Sequence, residues 1–151
     1  MTRIDYFSTK PEFIAQLRTI TKAQEQFGLE AKLRALVELR VSQINGCVYC
    51  TDLHSREARV HGEKQQRMDS LPVWRESPFF TDREKTALAW AEAMTCLATT
   101  HAGDAEYQRL GRHFSDTEIV ELSLSISLAN FWNRMAASFR KMPAHTASEL
   151  K

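Results

Sequence analysis

At three places that open apolar residues at helical spacing, Thr9/Glu12, Thr81/Glu84 and Ser115/Glu118, a hydroxyl residue is followed three positions later by glutamate. Such capping boxes satisfy amide groups that a helix start leaves without partners, so three helix origins are marked before any composition is counted. Gly 5 and Pro 4 in 151 residues are about half the usual share, which leaves too few turn residues for a sandwich or barrel of short strands. No alternating strand pattern, repeat or low-complexity tract stands out. The expected fold is all-α, a single domain over 1–151 with roughly six helices.

The spacing places a first helix at about 10 to 27, facing inward through Phe13, Leu17, Ile20 and Phe27, and a second at about 30 to 44 with Leu33, Leu36, Val37, Val41 and Ile44. Asn45-Gly46 breaks the second helix, and a third runs from Cys47 or Val48 to a stop at Gly62. A short polar helix over 63 to 71 precedes an aromatic connector, Leu71 to Phe80, whose two prolines and large side chains predict a packed rather than loose segment. Thr81 opens the next helix, 99 to 103 reads as a turn, and 104 to 113 as a short helix. The last helix, 116 to about 141, is apolar on most sides and is expected to be buried.

Charge and hydropathy exclude several function classes. Twenty basic against 19 acidic residues leave a net charge of +1, no footprint for nucleic acid or an anionic membrane. No run of 18 apolar residues is present, and the start MTRIDYFSTKPEF lacks the apolar core of a secretory signal, so a cytoplasmic protein is expected. Three cysteines, two of them close together, do not form an extracellular disulfide framework.

The reactive groups are dense in one segment, Asn45-Gly46-Cys47-Val48-Tyr49-Cys50-Thr51-Asp52-Leu53-His54. Two cysteines three apart at a helix start lie within about a turn, so their sulfurs can close a disulfide with little backbone movement. The same helix start lowers thiol pKa values and favours the nucleophilic thiolate. His54 lies four residues after Cys50 on the same face, where an imidazole can exchange a proton with a thiol or leaving group. Two other readings remain: a pair of small core cysteines, and a zinc site of Cys47, Cys50 and His54 completed by Cys96 or His61. Covalent haem attachment needs His directly after the second Cys, where Thr51 stands.

The run Leu39 to Cys50 with His54, the stretch Trp74-Arg75-Glu76-Ser77-Pro78-Phe79-Phe80 and the helix from Thr81 to Thr95 resemble the AhpD-like alkylhydroperoxidase branch of the carboxymuconolactone decarboxylase family, over about 30 to 95. That resemblance implies an all-helical fold, trimers or hexamers, and thiol-dependent reduction of peroxides. In the founding type a Glu twelve residues before the first Cys joins both cysteines and the His in a proton relay. Here that position is Ala35, while Glu38 lies nine back on the same helix face and is the candidate in its place. Tyr49 stands where the founding type has a second His, and is expected to be an aromatic pocket wall. Otherwise Glu38 pairs with Arg34 or Arg40. Cys96 and the tryptophans Trp90 and Trp132 are expected to pack in the core or, for the tryptophans, at an interface.

The resulting expectation is a peroxidase using Cys47, Cys50 and His54, with no cofactor and an external dithiol or disulfide reductant. Cys50 is taken as the attacking sulfur because His54 sits one turn below it, although the helix dipole favours Cys47. A cofactor-free decarboxylase of the same family and a zinc-binding or redox-sensing module are the alternatives. The apolar last helix and aromatic connector exceed what one small domain can cover, which predicts a homo-hexamer, with a trimer as alternative.

Overall fold

The computed structural model describes residues 2–144, all-helical with no strand among them. The helices are α1 Tyr6–Thr9, α2 Pro11–Ala23, α3 Ala31–Ile44, α4 Val48–Val60, α5 Gln65–Ser70, α6 Asp82–Thr95, α7 Leu97–Thr100, α8 Asp104–Leu110 and α9 Asp116–Ser138. Two of these, α1 and α7, are single turns absent from the roughly six expected. Four residues are too few to show an apolar period, and α7 occupies part of the stretch expected to turn.

Two of the three capping boxes form as expected. Thr81 and Ser115 each accept from the amide three residues on, and the Glu84 and Glu118 carboxylates reach back to the cap amides. The Thr9/Glu12 box does not form. Thr9 is already helical in α1, its hydroxyl donating to the Asp5 carbonyl at 2.8 Å, so it cannot adopt the extended backbone of an N-cap. Lys10 takes that place and α2 starts on Pro11 without a side-chain cap.

The central element is α3, which packs on α4, α6 and α9. Leu36, Val37 and Val41 are wholly enclosed there, with Leu88 and Ala91 of α6 and Leu122 and Ile126 of α9 in the same core. The connector is packed down in part: Trp74 and Phe80 are buried, while Val73 and Phe79 are exposed. Glu92 of α6 holds it, accepting from Trp74 Nε1 at 2.8 Å and from Arg40 Nε at 2.9 Å. Arg40 is thereby tied to Glu92 rather than to Glu38.

Three expectations about burial are corrected. Helix α9 is not enclosed all round: Val120 and Leu124, one turn apart, are 58% and 46% exposed, because only one side of α9 meets α3 and α6. On α2 the buried position is Ile14, while Phe13 and Ile20 face solvent. This helix docks through Thr21, whose hydroxyl accepts from Trp132 Nε1 at 2.8 Å, and the docking turns it away from the expected face. Cys96 is exposed at the C-terminal cap of α6 rather than buried in the core. No described helix is long and apolar enough to cross a membrane.

Candidate active site

The site is assembled where α3 turns into α4. Gly46 has φ of +63°, a left-handed conformation that side chains other than glycine adopt at a cost, and it lets the chain reverse between the two helices. A buried polar network fixes this turn against α9. Asn45 Nδ2 donates to Asn130 Oδ1 and Asn133 Oδ1, both at 2.9 Å, and Asn133 Nδ2 donates to Ser42 Oγ at 3.1 Å. In the sequence Asn45 reads only as a helix breaker. Asn130 and Asn133, on the stretch of α9 among Ile126, Ala129 and Ala136, were the available signal that α9 has a polar partner.

Cys47 is the N-cap of α4, its Sγ accepting from the Cys50 amide at 3.2 Å, and the two cysteines are joined in a disulfide with Cα atoms 5.3 Å apart. Both are buried. Disulfide-bonded sulfurs are not thiolate ligands, so the alternative zinc set of Cys47, Cys50 and His54 is not assembled in this state. Cys96 is not among the residues lining the cleft beside Cys50, although His61 is.

That cleft has a volume of about 730 Å³ and is walled by Tyr49, Cys50, Leu53, His54 and Glu57 from α4 and by Ala35 and Glu38 from α3. Trp132 and Ala136 of α9 and Tyr6 and Phe7 of α1 close it further. Cys47 instead faces a smaller hollow of about 220 Å³ beside Ala136, Ala137 and Lys141. Of the two cysteines, Cys50 is the one that lines the larger space.

Glu38, expected from the sequence, meets His54 here: Glu38 Oε2 is 3.6 Å from His54 Nδ1, and Arg34 Nε is 4.0 Å from Glu38 Oε1. Glu57 was not anticipated. His54 Nδ1 donates to Glu57 Oε2 at 2.7 Å, which leaves Nε2 as the ring nitrogen available for proton exchange. An acidic residue three positions after His54, one turn on, was the missed signal. These three residues also form the one group of potential metal ligands among the described residues.

Electrostatics make the group proton-holding near neutrality. Burial pushes the Glu38 carboxyl up to about 7, outweighing the pull of His54 and Arg34. Burial disfavours the His54 cation, but the hydrogen bond to Glu57 and the nearness of Glu38 prevail and raise its pKa. Burial likewise opposes the Glu57 anion, yet the same hydrogen bond holds its carboxyl below the usual range. Glu38 and His54 thus compete for a proton across the range where thiol chemistry runs.

A stability prediction follows from the sign of these shifts. At pH below the ordinary glutamate value of 4.5, Glu38 is neutral whether the chain is folded or unfolded. Between there and about 7 the unfolded chain ionises first, so stability falls as pH rises, by on the order of 3 kcal/mol over the window. The raised His54 pKa acts with the same sign, its contribution being lost as pH climbs through the folded value. Glu38→Gln is expected to melt above the wild type at pH 8 and to lose that advantage at pH 4. Thermal denaturation at both pH values checks this, and an equal difference at the two would refute the burial of an ionisable Glu38.

The model of the carboxymuconolactone decarboxylase family matches residues 11–93, a span that begins in α2 and includes the whole disulfide segment. YdfG of Bacillus subtilis is 34% identical over 134 residues, covering 89% of this chain and 91% of that protein. A crystal structure from Agrobacterium tumefaciens, of a protein of unknown function proposed as the antioxidant defence protein AhpD, superposes with a TM-score of 0.93 at 38% identity. It covers 97% of this chain and 100% of the other. A peroxidase-related protein from Silicibacter sp. gives a TM-score of 0.77 at 25% identity, over 85% of this chain and 69% of that one. With an AhpD-like all-helical fold around the disulfide segment and a family match over more than half its length, the chain belongs to the carboxymuconolactone decarboxylase family.

Proposed function

We propose that this protein is a thiol-dependent peroxidase that reduces alkyl hydroperoxides in antioxidant defence, with Cys50 as the attacking sulfur, Cys47 as the resolving one, and His54 and Glu38 as the proton-exchanging pair. The observation that carries this reading is the Cys47–Cys50 disulfide, with Cys50 on the wall of a cleft that also holds His54, Glu38 and Glu57. Tyr49 lines the same cleft as an aromatic wall.

In the reduced enzyme the Cys50 thiolate attacks the terminal oxygen of the hydroperoxide. A sulfur–oxygen bond forms, the O–O bond breaks, and the alkoxide takes a proton from Nε2 of the protonated His54 and leaves as alcohol. Cys50 is then a sulfenic acid. The Cys47 thiolate attacks its sulfur, forming the disulfide, and hydroxide leaves with a proton as water. An external dithiol supplies two electrons and two protons, becomes a disulfide itself and restores both thiols. Glu57, hydrogen-bonded to Nδ1, orients the imidazole for this exchange. No cofactor enters the cycle, and the cytoplasm, where dithiol pools stay reduced, is the setting it implies.

A thiol count tests the reading. Reduced protein treated with one equivalent of tert-butyl hydroperoxide is expected to lose two thiols per chain, leave Cys96 free and release one equivalent of alcohol. Retention of all the thiols at that peroxide concentration would sink the proposal.

The assembly proposed with it is a homo-hexamer, a trimer of dimers, with a trimer as alternative. Support comes from exposed apolar residues on several elements: Phe13 and Ile20 on α2, Val120 and Leu124 on α9. Light scattering after size exclusion is expected to give six times the 17.3 kDa chain mass, and a mass of one chain at micromolar concentration would overturn the assembly.

A further inference from the structure

We propose that the cleft beside Cys50 contains a cationic subsite, built around Lys141, that takes the carboxylate head of an organic hydroperoxide with a long apolar body. The hydroperoxide half of this assignment rests on the peroxidase reading above, and the carboxylate half rests on the cleft alone.

Lys141 Nζ lies 3.6 Å from the centroid of the Phe7 ring, 4.7 Å from that of Tyr49 and 5.8 Å from that of Tyr6. Three ring faces hold the ammonium in place by their negative quadrupoles, without neutralising its charge. Among the described residues no carboxylate comes within ion-pair distance of it, and Asp5 acts on it only from farther off. Burial and the neighbouring Arg18 both weaken its hold on its proton, so an anion is what the position lacks. Arg34, by contrast, is already engaged by Glu38 and the Gln24 carbonyl.

The acidic residues of the cleft do not compete for this place. Glu38 and Glu57 are turned to His54, which leaves Glu25 as the remaining acid of the lining. Arg18 and Lys22 add positive charge to the same wall. Lys141 lines both this cleft, with Cys50, and the hollow beside Cys47. A space of about 730 Å³ is on the scale of sites for drug-sized ligands and far exceeds what hydrogen peroxide needs. Trp132 and Leu53 offer an apolar surface for the body of the substrate.

The test compares a carboxylate with its neutral twin. Hydroxyoctadecadienoic acid, the stable alcohol product of the fatty-acid hydroperoxide, and its methyl ester are titrated into the protein calorimetrically below their micelle concentrations. The acid is expected to bind about tenfold more tightly, the scale of a hydrogen bond to a charged group. That preference collapses in Lys141→Gln and returns in Lys141→Arg, and the matching hydroperoxides oxidise the thiols in the same order. Equal binding of acid and ester by the wild type overturns the subsite, as does a full preference in a folded Lys141→Gln. If no hydroperoxide oxidises the thiols while the acid preference in binding persists, the subsite stands and the peroxidase reading falls.

Discussion

Cys50→Ser and Cys47→Ser are each expected to bring steady-state peroxide turnover below about a tenth of the wild-type rate, with the helical circular dichroism unchanged. Serine is nearly the volume of cysteine, so the core around these two buried positions is kept while a nucleophile or a resolver is lost. The bridge spans a sequence separation of only 3, and closing so short a loop removes little entropy from the unfolded chain, so its loss does not threaten the fold. The two variants differ in their first turnover. With Cys47 replaced, Cys50 still meets the cleft and is oxidised once to sulfenic acid, releasing one equivalent of alcohol before stalling. With Cys50 replaced, that burst disappears. A stopped-flow measurement of alcohol release separates them, and a burst in Cys50→Ser but not in Cys47→Ser would reverse the assigned order. Turnover above a tenth of wild type in either variant would end the two-cysteine mechanism.

The second large effect is at His54. His54→Ala is expected to lower the turnover rate about 10²-fold, the usual scale for a positioned proton-transfer group. The imidazole is fixed by Glu57 at 2.7 Å and faces the buried Glu38 carboxyl at 3.6 Å, so removing it takes away the proton donor for the leaving oxygen. The wild-type pH–rate profile is expected to bend near the Glu38 value of about 7, and the bend should move to higher pH in the variant, where the pull of His54 on Glu38 is lost. A rate within a factor of two of wild type across pH 6 to 9 would remove His54 from the mechanism.

What the sequence determined by itself is the set of relationships that lie within a turn or two of helix. The Thr81 and Ser115 caps, the stop after α4 at Gly62, and the placement of Cys47, Cys50 and His54 along one helix start all depend on neighbours three to seven residues apart, where helix geometry is the same in any fold. The family resemblance was carried by that run together with the stretches Trp74 to Phe80 and Thr81 to Thr95. Glu38 was legible as a candidate because it shares a face of α3, but not that it is buried against His54, which α4 brings to it only by packing on α3.

The rest required the tertiary structure. Thr9 failed as a cap because an adjacent single turn had already claimed its backbone, a competition that pattern counting does not resolve. The exposed stripe of α9 followed from which of its sides meets α3 and α6, since an apolar residue is buried only where another element covers it. Asn45 reaches Asn133 across 88 positions of sequence, and Lys141 near the end of the described chain meets Phe7 near its start. No periodicity encodes such encounters. They come from the closing of α9 and the first turns of the chain over α3 and α4, and that closure decides what stands around the sulfur of Cys50.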